Sequence, residues 1–318
     1  MTPTHTDGVK PGARVCVVGS YAKALVVTAD RIPLEGETLI GRDYRQTFGG
    51  KGSDMAVQAA RLGASVDYLG VIGDDDFGRE FARLLEGEGV TTSGIRMTAD
   101  APTGVGLIIK DDAGHNIIVV DKGANDRFSR ADVDAHRGAI GEASVALAQL
   151  EIPLDTALYA LGVAHSLGRI TVLNPAPAVE LAGVDLGAVD VITPNQGEAR
   201  ILVGERPDSA LPNSEVAARL IAQGVRAVVI TRGEDGADVF TADSADHVDA
   251  HSIEVVDSNG AGDSFNAGLA VALGEGLGLQ DAVRFANATA ALSCTGWETV
   301  PSYRRRADVD AVLAATKG

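Results

Sequence analysis

The chain has 318 residues, 45% of them hydrophobic, and its 27 basic against 44 acidic side chains give a formal net charge of -17. That length and apolar content can bury one large core or two smaller ones, and bulk disorder is excluded. The acidic balance argues against non-specific binding to nucleic acid or to an anionic membrane, and no apolar run approaches the roughly 18 residues of a membrane span.

Residues 1–12 are polar, lack the apolar centre of a signal peptide, and read as a flexible tail of a cytoplasmic protein. Arg14-Val-Cys-Val-Val-Gly19 is a continuous apolar run ending in glycine, the pattern of a buried parallel strand. Leu25–Phe48 has strand character without an intervening helix. Gly49-Gly50-Lys51-Gly52 then ends a strand and opens a helix over Lys51–Leu62, which stops at Gly63. A strand over Val66–Ile72 and a helix over Phe77–Leu85 follow. Thr103–Val120 is again strand without helix, with Asp111-Asp-Ala-Gly-His115 as a hairpin turn. Strands over Val145–Leu150, Ile170–Leu173, Val189–Thr193 and Ala227–Thr231 alternate with helices. Ile253-Glu-Val-Val256 reads as a further strand, and three helices follow residue 260. The alternation predicts an α/β fold, a mostly parallel sheet covered on both faces, with a small side sheet from residues 20–48 and 103–122. Cys16 and Cys294 lie in apolar segments and read as reduced core residues.

Chemistry concentrates at two glycine-rich turns. Asp257-Ser-Asn-Gly-Ala-Gly-Asp263 opens an apolar helix. Its small residues let the backbone approach a ligand, and free N–H groups at a helix start favour an anion such as phosphate. Asp263, in the first turn, is expected to stay ionised beside that pocket, a pairing suited to moving a phosphoryl group onto a hydroxyl. A loop capped by an acidic residue is the plainer reading of the same letters. The other turn, Gly49-Gly50-Lys51-Gly52, is not a Walker A loop, since Lys51 is followed by glycine. Its amides and Lys51 could hold a polyol, with Asp54 one turn on accepting from hydroxyls, or it is a tight turn with a solvated lysine. Glu151, Asn174, Asn195 and Thr231-Arg-Gly233 all end strands, where open parallel sheets bind ligands. Asn195 with Glu198 also fits a helix-capping pair.

Four motifs in order, Gly49-Gly-Lys-Gly-Ser-Asp-Met-Ala-Val, Asn174-Pro-Ala-Pro-Ala, Thr193-Pro-Asn-Gln-Gly-Glu198 and Asp257-Ser-Asn-Gly-Ala-Gly-Asp-Ser-Phe-Asn266, resemble those of the ribokinase-like (PfkB) carbohydrate kinases, from about Arg14 to about Arg305. The resemblance implies a kinase domain over 13–305, extending to about 316, with the side sheet as a lid and dimer interface. It implies ATP and Mg²⁺, and a sugar as the partner. Asp263 would be the base, and Gly260, Ala261 and Gly262 the anion hole. Gly50, Lys51, Asp54 and Glu151 would hold the sugar. Asn195, Thr231, Gly233, Gly262 and Asn287 would contact the nucleotide, and Glu198 would organise Mg²⁺ through water. Asp257 and the carbonyl of Asn259 match the site of a monovalent cation, potassium in many members.

The chain departs from the pattern in three places. Ala22 and Ala24 stand where ribokinases grip ribose with Asn and Asp, and Asp54 stands where they usually have Asn. Lys23, Arg42, Arg45, Lys110 and Lys122 could form a cluster for an anionic sugar, or be solvated lid surface. Cys294-Thr-Gly-Trp-Glu-Thr299 departs from the usual second cation loop, leaving Glu298 as a ligand, a substitute charge or a solvated side chain. Two alternatives stand beside the sugar kinase: a nucleoside or phosphosugar kinase of the same fold, and an inactive binding protein.

Overall fold

A computed structural model describes residues 12–113 and 115–315. The expected tail over 1–12 lies, apart from Gly12, outside them, as does residue 114 of the expected hairpin turn.

The chain begins with β1 (Arg14–Val18) and crosses to a side layer as β2 (Ala22–Thr28) and β3 (Arg42–Gly49). It returns through α1 (Lys51–Arg61), β4 (Ser65–Gly73), α2 (Asp76–Gly87) and β5 (Thr91–Thr98). The side layer is completed by β6 (Gly104–Lys110) and β7 (Asn116–Asp121). Then come α3 (Arg130–Ala135), α4 (Arg137–Glu142), β8 (Val145–Gln149), α5 (Leu154–Ser166), β9 (Ile170–Asn174) and β10 (Val191–Ile192). The remaining order is α6 (Gln196–Leu202), α7 (Asn213–Ala222), β11 (Ala227–Thr231), β12 (Ala237–Thr241), β13 (Ala245–Val248), α8 (Ala261–Gly274), α9 (Leu279–Ser293) and α10 (Arg306–Ala315).

The main sheet runs β13-β12-β11-β10-β9-β8-β1-β4-β5, parallel except for the β12–β13 edge. Alternation along each strand splits its side chains between two cores. Val15 and Val17 of β1 pack with α1, α8 and α9, while Cys16 and Val18 pack on the opposite face with Ala160, Leu161 and Ile140. Both cysteines are buried and unbridged. The side layer is a separate four-stranded sheet, β3-β2-β6-β7, in which β2 and β6 are parallel and the outer pairs antiparallel.

Two expected strands need correction, and one strand was not expected. Ile253–Val256 is not a strand: it follows the β12–β13 hairpin as irregular chain, with Val255 and Val256 exposed. Apolar β-branched letters signalled a strand there, but no neighbour offers a ladder. The strand expected over Val189–Thr193 shortens to Val191–Ile192. Asp67–Gly73 supplies a ladder for β5, an edge strand that the sequence reading passed over.

The side sheet also corrects the account of Lys23. Neither solvated nor facing a ligand, it is 2% exposed, its ammonium 2.8 Å from both oxygens of Glu80 on α2 and over the rings of Phe48 and Phe77. Tyr21 stacks on Phe81 beside it, with ring centroids 4.0 Å apart. The base of the side sheet is thereby fastened to the main domain.

Candidate active site

β1 is the switch point of the main sheet, with β4 on one side and β8 on the other. The crevice that opens there is where a ligand is expected in such sheets. Two helix starts, those of α1 and α8, meet at it.

The first turn of α1 is pressed against the chain leaving β1. A Cβ on Gly52 would lie 2.5 Å from the nitrogen of Ser20, and Gly50, at φ +92°, has no room either, 2.8 Å from Ala22 N. Ser53 N–H donates to Ser20 O. Glu151 covers the positive end of the helix: its Oε2 accepts from Lys51 N–H at 2.8 Å and from the Ser20 hydroxyl. Gln149 also donates to Ser20 Oγ, at 3.2 Å. Ser20 is thus a hub of the site that the sequence reading missed, since one serine after a glycine carries no distinguishing signal.

The turn into α8 is built differently. Gly260 caps it at φ +76°, packed against Tyr303 and Thr299. The Tyr303 hydroxyl donates to Gly260 O at 3.3 Å, and Asn266 Nδ2 donates to Gly262 O, two residues on, at 2.8 Å. Thr193 Oγ1 holds Asn266 in turn. The space above Gly262 is open, and among the described residues nothing accepts from the N–H groups of Gly262 and Asp263. Two open donors and the positive end of the helix dipole are the features that favour an anion at such a turn.

Asp263 stands at its edge. It is 7% exposed, and its Oδ1 has no hydrogen-bond partner but lies 3.9 Å from Lys51 Nζ. Burial, opposed by Lys51 and reinforced by Glu151 and Glu198, raises its pKa to about 6. The carboxyl expected to stay ionised thus titrates close to neutrality, because desolvation outweighs the attraction of Lys51. The same neighbours, Asp263 foremost, hold Lys51 firmly protonated. Lys51, Asp54, Glu151, Glu198 and Asp263 form one electrostatic unit.

The other candidates shape the neighbouring stretch of the crevice. Asn195 and Glu198 form a reciprocal capping box on α6, with Glu198 N–H to Asn195 Oδ1 at 2.9 Å and Asn195 N–H to Glu198 Oε2 at 2.8 Å. The capping reading holds, and Glu198 Oε1 is left without a hydrogen-bond partner among the described residues. Thr231 bonds back to Pro194 O, and Gly233 begins the short turn after it at φ +60°. Asn287 donates to the carbonyls of Val248 and Asp249, fixing the chain beyond β13. Asp257 accepts from Asn259 N–H and Glu298 N–H, joining the two loops expected to flank a cation. Glu298, at φ +65°, pairs with Arg45 of the side sheet at 3.3 Å and stays partly exposed.

A sequence profile of the pfkB family carbohydrate kinases matches residues 13–303. The chain belongs to that family. Ribokinase of Bacillus subtilis is 36% identical over 300 residues, covering 94% of this chain and 99% of that protein. Deoxyribokinase of Salmonella typhi is 32% identical over 290 residues, 91% of this chain and 95% of that protein. Among solved structures, Arabidopsis thaliana ribokinase complexed with ribose and ATP superposes with a TM-score of 0.84 at 28% identity, covering 95% of this chain and 98% of that one. The nine-stranded sheet flanked by helices and the small four-stranded sheet match the architecture of the ribokinase structures.

Proposed function

We propose that residues 13–305 form an ATP-dependent sugar kinase, continued by α10, with the four-stranded sheet as its lid. The observation that carries this reading is the buried, unpartnered Oδ1 of Asp263 beside Lys51 and two open N–H groups. The acceptor hydroxyl gives its proton to Asp263 Oδ1. Its oxygen attacks the γ-phosphorus of ATP, and the bond to the β-phosphate oxygen breaks to release ADP. The N–H groups of Gly262 and Asp263 and the Lys51 ammonium meet the charge on the moving phosphoryl oxygens, with Gly260 and Ala261 shaping the turn. Lys51, Asp54 and Gly50 line the sugar side. Glu151 has one oxygen committed to α1 and acts there mainly by orienting Lys51.

Asn195, Thr231, Gly233 and Asn287 are assigned to the nucleotide side. Glu198, with one oxygen free, fits a role in holding Mg²⁺ through water, where the ion would neutralise phosphate charge. Asp257 and the Asn259 carbonyl are the site for a monovalent cation, which comparison of rates in Na⁺, K⁺ and a large organic cation checks.

The acceptor is a neutral monosaccharide or polyol. The cations that could have held an anionic sugar are already engaged: Lys23 by Glu80, Arg42 by Asp30 and Asp112, Arg45 by Glu298, and Lys122 by Asp126. Lys110 lies over the Trp297 ring. With alanine at 22 and 24, the β2 wall of the pocket asks for no hydroxyl, so a deoxy position facing it is tolerated. An ADP-release screen across pentoses, deoxypentoses, hexoses, sugar acids and nucleosides tests this. Turnover confined to sugar acids or phosphosugars would overturn the neutral acceptor, and none with any sugar would overturn the kinase.

A further inference from the structure

Asp54 sits in the first turn of α1 and is 3% exposed. Its Oδ1 lies 3.2 Å from Thr299 Oγ1, which lies 3.3 Å from the carbonyl oxygen of Phe48. The threonine hydroxyl has one proton, and Phe48 O can only accept. With that proton on the Phe48 side, an ionised Asp54 would face Thr299 lone pair to lone pair. A proton on Asp54 completes the chain: Asp54 Oδ1–H donates to Thr299 Oγ1, and Thr299 Oγ1–H donates to Phe48 O. Asp54 Oδ2 then has no protein partner among the described residues.

The charges around Asp54 favour the same state. From α8 it faces Asp263 and from the end of β8 it faces Glu151, with Lys51 on its own helix as the cation of the group. Tyr21 after β1, Tyr68 on β4 and Tyr303 before α10 also feel its charge, each raised in pKa first by burial and further by Asp54 among its acidic neighbours. Asp54, Glu151, Glu198 and Asp263 thus share one ammonium, which sits against Asp263. Burial first, then Asp263 and Glu151, push Asp54 well above the carboxylate range, against the weaker pull of Thr299 and Lys51.

We propose that Asp54 works as a neutral carboxylic acid whose free oxygen accepts a hydrogen bond from a hydroxyl of an uncharged acceptor, making it a specificity-determining residue. The inference rests on the sugar-kinase reading. A neutral Asp54 spares the pocket a further negative charge just where phosphate must enter, while an ionised one would select a cationic amino sugar.

Two measurements test it. The first is the pH dependence of KM and kcat for the best sugar of the screen. KM rises with pH, by up to about tenfold per unit once Asp54 ionises, while kcat holds, and Asp54→Asn removes that rise whatever its absolute KM. The second needs no turnover. The infrared difference between wild type and Asp54→Asn shows the C=O band of a neutral carboxylic acid at pH 7, which disappears at high pH and shifts in Thr299→Val. The same KM profile in wild type and Asp54→Asn, preference for an amino sugar, or absence of the neutral-acid band overturns the proposal. If no sugar is phosphorylated, the kinase reading fails while the infrared band still decides the protonation of Asp54.

Discussion

Asp263 carries two opposed consequences at the scale of one side chain. As the proposed base it must be ionised, and its pKa of about 6 places that requirement near neutrality. Turnover should therefore fall as pH drops through about 6, with a slope approaching tenfold per unit below it, in a pH profile of kcat. For stability the sign is reversed. A carboxyl whose folded pKa is raised from 3.8 to about 6 favours folding below pH 3.8, and that contribution is lost as pH rises through 6. Asp263→Asn should accordingly raise Tm at pH 7 while lowering kcat by roughly 10²-fold or more and keeping ATP binding. Calorimetry and single-turnover kinetics on the same preparation check both; near-normal turnover would remove Asp263 from its role. The carboxylate and its glycine turn were legible in the sequence. Its raised pKa was not, because burial and the approach of Glu151 and Lys51 arise only when α1, β8 and α8 converge.

At the scale of elements, the glycine-rich start of α1 depends on a close approach that no local pattern shows. Gly52 lies against Ser20 and Gly19 backbone, so Gly52→Ala must push α1 away from β1. We expect a loss of about 1–3 kcal/mol, the usual cost of overpacking, with a raised KM for sugar as Lys51 moves off its position. A thermal melt and a KM–kcat comparison read the two effects, and an unchanged melt would show that the helix start yields freely. Strands with continuous apolar runs, such as β1 and β11, were legible because both faces are buried. The segments that were misread, Ile253–Val256 and β5, differ in the presence of a ladder partner, which is a property of the sheet and not of the segment.

At the scale of the molecule, the small side sheet, proposed above as the lid, presents an apolar exposed edge. β7 is exposed along its whole length, and Leu107, Ile117 and Val119 share one face of the β6–β7 pair. An apolar edge strand of that kind is covered in solution or aggregates. Pairing of two lids in a homodimer, as the sequence resemblance implied, would cover it. Val119→Lys is then expected to yield monomers in sedimentation velocity, and a wild-type chain already monomeric at micromolar concentration would exclude the lid dimer. The motifs and the strand–helix order fixed the family, the main sheet and the identity of the charged groups, since these follow from local spacing and side-chain chemistry. Which lysine is buried, and which charged groups converge on Asp54 and Asp263, were decided only by the tertiary structure. Distances between residues far apart in the chain set desolvation and Coulomb energies, and sequence spacing does not contain them.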